Sequence, residues 1–342
     1  MQWLLRQHGK KKAQPAPLVE VVEVPSAAPI ILAPHATVQS ALEYAAADRA
    51  PATHRAYQSQ WRGWVAWSRQ AGIPSLPAPP DGIALYLAHR AQLRKRTTTL
   101  AQCLAAIAYH HIQAGELDPT RARSVQTVWA GIKRTHGVAA AKQAAPINPD
   151  HLRAMIAALG PGPVAVRDRA LLLLGFAGAF RRSELVALEF EDLAFKPEGL
   201  LVTLRRSKTD QEGQGRTVAV TPGEHRETCP VAALEDWLLV SGIAAGPIFP
   251  PIDKLTGLPM SHALEPREVA RILVRRARAA GLDYSRLSAH SLRAGLVTTA
   301  IAQGVSDHRV MDQTGHKSHS MVRRYRREHD QLRDGLSKKV GL

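Results

Sequence analysis

Between His35 and Thr135 apolar residues recur at three- and four-residue steps: Tyr57, Trp61, Trp64 and Val65, then Ile83 and Leu87 ahead of Arg90, then Leu100, Leu104 and Ile107 ahead of His111. That is the period of helices with one buried stripe, and four or five of them fit in this stretch. Pro74, Pro77, Pro79 and Pro80 mark a loop between two of them, with Asp81 as N-cap of the next. The stretch from Lys133 to Pro149 is rich in Ala and Lys and has no apolar face, so it reads as a connection between domains. A cap signal, Asn148-Pro149-Asp150, follows, and the continuous apolar run Ala170 to Phe180 is a core helix.

After Leu188 the period changes to two. β-prone segments at about 190–194, 200–206 and 216–221 are separated by Pro197-Glu198-Gly199 and by Asp210 to Gly215, which predicts a small three-stranded antiparallel sheet. Helical patterns return at Val231–Val240, Glu265–Ala280, His290–Gln303, His308–Gln313 and Ser320–Arg333. The expected fold class is therefore α+β and mainly helical. A Pro-rich basic tail (1–34) leads into a helical domain (35–135), a linker (136–149) and a second, larger domain (150–342).

Composition narrows the function. The 342 residues carry 45 Lys or Arg against 29 Asp or Glu, a formal charge of +16. Such a balance favours a polyanionic partner, most simply nucleic acid. Between Arg267 and Lys339 alone there are 16 basic and 7 acidic residues. Only Cys103 and Cys229 are present, without metal-ligand spacing, so neither a disulfide scaffold nor a zinc ribbon is expected. The run Ala170 to Phe180 is well short of the roughly 20 residues that span a bilayer. Lys10-Lys11-Lys12 is not followed by the apolar region of an export signal. An intracellular, nucleoid-associated protein is the expectation.

Four segments carry candidate chemistry. They are Gly178-Ala179-Phe180-Arg181-Arg182-Ser183-Glu184-Leu185 at the end of the apolar helix, Arg206-Ser207-Lys208-Thr209 at a turn between strands, His290-Ser291-Leu292-Arg293 on a helix, and Gly315-His316 with Tyr325 nine residues further on. The i, i+3 spacing of His290 and Arg293 puts both side chains on one helix face. Arg323, Arg324, Arg326 and Arg327 crowd around Tyr325.

In order and spacing these segments resemble the tyrosine recombinase, or phage integrase, family. The likeness spans the whole second domain, and the helical first domain resembles the family's core-binding domain more loosely. The resemblance implies that Arg181 and Arg293 are the paired arginines, Lys208 the lysine, His290 and His316 the histidines and Tyr325 the nucleophile, with Glu184 supporting the site. It implies cleavage and rejoining of DNA strands through a 3′-phosphotyrosyl link, with exchange between two DNA sites by a homotetramer through a Holliday junction. No cofactor and no metal is expected. Phe180 and Ala294 depart from the commonest family pattern, but neither is a catalytic position.

The chemistry suits these residue types. Two permanently charged guanidiniums can hold the non-bridging oxygens of a phosphodiester bidentately. A phenol with a reference pKa near 10 needs a base and a positive field to attack at neutral pH, and His290 is the candidate base. Lys208, on a Gly-containing hairpin, can protonate the departing 5′ oxygen, while His316 hydrogen-bonds the phosphate or helps to move a proton. Arg182, Lys95, Arg96, Arg323, Arg324 and Arg326 are candidate DNA contacts, although Arg182 also fits a helix-end charge. Trp61, Trp64 and Trp67 read as core residues. A type IB topoisomerase, which rejoins the same strand, and a catalytically idle architectural DNA-binding protein are the rival readings.

Overall fold

Proline opens six α-helices among the described residues, where its missing N–H costs nothing because the first helical N–H groups have no partner within the helix. The computed structural model describes residues 39–40, 43–44, 48–137, 144–205, 215–316, 318–323 and 325. The chain divides into two compact units, 1–136 and 137–342.

In the first unit the described helices are α1 (Pro51–Gln70), α2 (Pro80–Gln92), α3 (Thr97–Gln113) and α4 (Arg123–His136). Trp64, Ile83, Tyr86, Leu87, Leu100 and Ile107 form its core, with Trp61 and Trp67 packed against it, as their spacing predicts. The indole of Trp64 donates to the carbonyl of Ser75 at 3.0 Å, so its one polar atom is satisfied on burial. Asp81 does not cap α2. The helix starts with Pro80, two residues earlier than that cap would allow, and Pro79 occupies the N-cap position, which leaves Asp81 as a charge in the first turn, favourable to the helix dipole. Lys95 and Arg96 are exposed, with Arg96 at the N-cap of α3. The tail 1–34 lies outside the described residues.

The second unit contains α5 (Pro149–Ala157), α6 (Pro163–Ala177), α7 (Arg182–Val186), strands β1 (Leu193–Lys196), β2 (Gly199–Leu204) and β3 (Arg216–Val220), then α8 (Pro230–Ser241), α9 (Pro266–Ala279), α10 (His290–Ala302), α11 (Asp307–Thr314) and α12 (His319–Arg323). Asn148 caps α5 through a reciprocal bond pair with His151, the arrangement its sequence announces. The strands form an antiparallel sheet in the order β1-β2-β3. Leu200, Val202 and Leu204 of β2 point into the core beside Val218 and Val220 of β3.

Residues 190–192 do not join the sheet as expected; they form a 3-10 turn, and the strand starts at Leu193. The carboxylate of Asp192 accepts from the N–H of Glu189 at 3.0 Å, a local bond that competes with extended pairing.

Buried α6 is the axis of this unit. Leu171, Leu172 and Leu174 are fully buried, and Asp168, also fully buried, accepts from Arg167, Arg275 and Arg276, which ties α6 to α9. The end of the expected linker belongs to this unit as well. Ile147 is in its core, and the N–H groups of Ala145 and Ile147 donate to the carbonyls of Arg286 and Ser291. Gly295 makes this possible, because a Cβ there would stand 1.9 Å from the carbonyl oxygen of Ile147.

Candidate active site

Buried α6 must end before the chain can present a charged residue at this place. It stops at Ala177, and Ala179 then takes a left-handed conformation (φ 49°) that turns the chain so that Phe180 returns to the core. Arg181 follows as the N-cap of α7. Its N–H donates to Glu184 Oε2 at 2.9 Å, and its guanidinium donates to Glu184 Oε1. Arg182, on the next position, is exposed.

Arg293 projects from the first turn of α10 into the same region and is 1% exposed. Its two terminal nitrogens donate to the carbonyls of Ala179 and Thr314, each at 2.7 Å. Burial, followed by the charge of Arg181, pushes its pKa down to about 10, so it stays cationic at neutral pH.

His290 begins α10. Its Nε2 lies 2.8 Å from the hydroxyl of Tyr325. Burial, then Arg293, then Arg181, hold the imidazole below its ordinary pKa, although solvent still reaches part of the residue and tempers the effect. Tyr325 sits in a turn after α12, and the rest of the helical stretch expected to Arg333 lies outside the described residues; its N–H donates to the carbonyl of Val322. Its ring is buried against Ala294, Val297, Val310 and Val322.

His316 is placed by the end of α11. Gly315 adopts the left-handed conformation there (φ 67°), where a Cβ would press to 3.1 Å against the Arg216 guanidinium. The His316 ring lies 5.8 Å from that of Tyr325 and is 6% exposed. Burial first, then Arg293, Arg181, His290 and Arg216, push its pKa down to about 4.

Of the sequence-derived site residues, the structure thus brings Arg181, Glu184, His290, Arg293, His316 and Tyr325 into one cluster. Lys208, Arg324 and Arg326 lie outside the described residues, as does the side chain of Arg323. The segment bearing Lys208 connects β2 to β3, whose paired ends are Leu204 and Arg216.

Two residues that sequence reasoning passed over belong to the cluster. Arg216 donates to the carbonyl of Gln313 at 2.9 Å, and its Nη2 lies 4.0 Å from Glu184. Burial holds its pKa below the ordinary arginine value. Gln313 donates to the carbonyls of Ala177 and Ala219, which joins the end of α6, β3 and α11. Arg216 carries a faint sequence signal, as the basic residue opening the strand after the lysine turn; Gln313 carries none. No group of three or more His, Cys, Asp or Glu with metal-binding geometry occurs among the described residues. Cys103 and Cys229 are both buried free thiols.

A family model described as "Phage integrase family" matches residues 145–331, more than half of the chain. The chain belongs to the phage integrase family. This member is 36% identical over 282 residues to a protein of Selenomonas ruminantium described as an integrase/recombinase xerD homolog, covering 81% of this chain and 82% of that one. Among solved structures it is similar to a Tn1549 transposon integrase in complex with transposon right end DNA, at a TM-score of 0.58 and 14% identity, covering 88% of this chain and 98% of that one. A lambda integrase dimer bound to a COC' core site matches with a TM-score of 0.56 at 17% identity, covering 86% and 95% of the two chains. At such identities the structures establish the shared fold. Among the described residues, no helix of this integrase family member is long and apolar enough to cross a membrane.

Proposed function

We propose that this protein is a site-specific DNA recombinase that cuts and rejoins strands through a covalent bond between Tyr325 and a 3′ phosphate. The observation that carries the reading is the 2.8 Å approach of His290 Nε2 to the Tyr325 hydroxyl, beside two guanidiniums. With its pKa held low, His290 is neutral at pH 7 and can accept the phenolic proton through an unprotonated Nε2. Arg181 and Arg293 hold the non-bridging oxygens as charge builds on them. Attack by the phenolate oxygen on phosphorus expels the 5′ oxygen, which takes a proton from Lys208. The reverse attack by a 5′ hydroxyl restores the phosphodiester and frees the tyrosine.

The exposed cations Arg182, Lys95 and Arg96, together with Arg323, Arg324 and Arg326, contact the DNA backbone in this reading, so affinity falls steeply with salt. Relatives support the assembly proposed here, a homotetramer on paired DNA sites that resolves a Holliday junction: a lambda integrase tetramer is known bound to a Holliday junction.

The test uses duplex DNA containing the site mapped by footprinting, nicked so that the cut fragment diffuses away. A protein–DNA adduct that survives denaturation is expected with the natural protein and not with Tyr325→Phe. An adduct that persists in Tyr325→Phe would overturn the nucleophile. A plasmid with two sites then separates recombination from mere relaxation of supercoils, and a protein that binds the site without forming any adduct is an architectural one.

A further inference from the structure

The hydroxyl of Thr314 has one proton and two close neighbours. Its Oγ1 lies 2.6 Å from the carbonyl oxygen of Val310 and 2.8 Å from Nδ1 of His316. A carbonyl oxygen only accepts, so the hydroxyl proton goes to Val310. The contact with His316 is then a hydrogen bond only if Nδ1 carries the hydrogen and donates it to Oγ1. Thr314 is fully buried, out of reach of bulk solvent.

The consequence falls on the other ring nitrogen. With Nδ1–H committed, a neutral His316 has only a lone pair at Nε2, and a lone pair repels a phosphate oxygen. Only the imidazolium, with hydrogens on both nitrogens, keeps the Thr314 bond and also donates from Nε2. We propose that Thr314 is a positioning residue that locks neutral His316 in the Nδ1–H tautomer, so that His316 engages a phosphate oxygen only by taking up one proton at Nε2. The phosphate half of this inference rests on the recombinase reading; the tautomer does not.

The groups around the ring make the uptake conditional. On the elements packed about His316 stand the cations Arg181, Arg293 and Arg216, the side chains of His290 and Tyr325, the carboxylate of Glu184, and the His319–Asp307 pair at 3.9 Å. Three guanidiniums against one buried carboxylate oppose a further positive charge while the site is empty, which agrees with the low pKa of the ring. An anion between the arginines reverses that balance. The proton comes from solvent, one per occupied site, and returns when the anion leaves. His316 therefore acts as a donor only after the phosphate has arrived.

The test uses the full chain labelled with ¹⁵N-histidine, with the His316 signals assigned by their loss in His316→Gln. Two-bond nitrogen–proton correlations distinguish the tautomers. At pH 7.5 the natural protein is expected to show Nδ1–H at His316, Thr314→Val to move the ring toward Nε2–H, and Thr314→Ser to restore Nδ1–H. The probe for the second arm is sodium sulfate, a dianion of constant charge from pH 5 to 8, compared with sodium chloride at equal ionic strength. His316 should protonate at least about one pH unit higher in sulfate, equivalent to tenfold or stronger sulfate binding by the protonated form. Nε2–H in the natural protein, an unchanged tautomer in Thr314→Val, or identical titrations in the two salts would each overturn the proposal. The expected tautomer and sulfate response in a protein that forms no covalent DNA adduct would instead overturn the recombinase reading alone.

Discussion

Glu184 holds Arg181 at both ends: one carboxylate oxygen accepts the backbone N–H at 2.9 Å while the other accepts the guanidinium. The side chain that aims the arginine thus also closes the first turn of α7. At 5% exposure it is the buried negative charge among Arg181, Arg293 and Arg216; burial first, and repulsion from Arg181 after it, lower the pKa values of the latter two.

Glu184→Gln keeps the shape and removes the charge. One amide end can still accept, but its NH₂ faces a donor. The expected loss is about 3 kcal/mol of unfolding free energy, the order seen when one partner of a buried ion pair is removed, read from denaturant melts. Single-turnover DNA cleavage should fall more than tenfold, with DNA binding kept. An unchanged melt would show that Glu184 does not hold the cluster together.

His316 makes stability depend on pH. Its folded pKa of about 4 lies below the ordinary histidine value, so the unfolded chain binds more protons between these limits. Stability should therefore be complete above about pH 6.5 and decline as pH falls toward 4, by up to roughly 3 kcal/mol from this group. Denaturant melts of His316→Gln across that range should lack this part of the slope. Parallel pH profiles for the two proteins would refute the assignment.

Gly295→Ala should be severely destabilising. The new methyl would collide with main chain at Ile147, which cannot rotate away as a side chain can. A cost above about 3 kcal/mol is expected, seen as a drop in Tm or as insoluble protein. A melting temperature within a few degrees of the natural one would mean that the 144–148 segment moves off at little cost.

Arg181→Ala and Arg293→Ala should both abolish cleavage, but they differ in stability. Arg293 satisfies two carbonyls in a buried place, so Arg293→Ala should also lower the unfolding free energy, by about 2 to 4 kcal/mol. Arg181, less buried, is the cleaner probe, and Arg181→Ala should bind DNA normally. Loss of binding together with cleavage in Arg181→Ala would contradict its part in the reaction.

Much of this was legible from residue patterns. Helix periods located α8 to α11 to within a residue or two, with Pro230 and Pro266 opening the first two and Ser306 capping the last. The sheet order followed from turn residues and period-two runs. The misses lie where local polar bonds win over periodicity: Asp192 curls 190–192 into a turn, and Pro80 starts α2 ahead of Asp81. Ile147 looked like part of a linker because a single apolar residue among Ala and Lys has no period. Gln313 and Thr314 act through contacts with carbonyls 4 to 136 positions away or with a ring two residues on, and no spacing rule reports that.

Arg293 is gripped by main chain from two distant places, the bend after α6 and the last residue of α11. A polypeptide that has not yet brought those two carbonyls together has nowhere to seat this guanidinium. For a protein proposed to cut DNA, competence to cut then requires both carbonyls to be in place, and a copy lacking either one should not cut. An acid-expanded state of the chain should accordingly cling to DNA without nicking it.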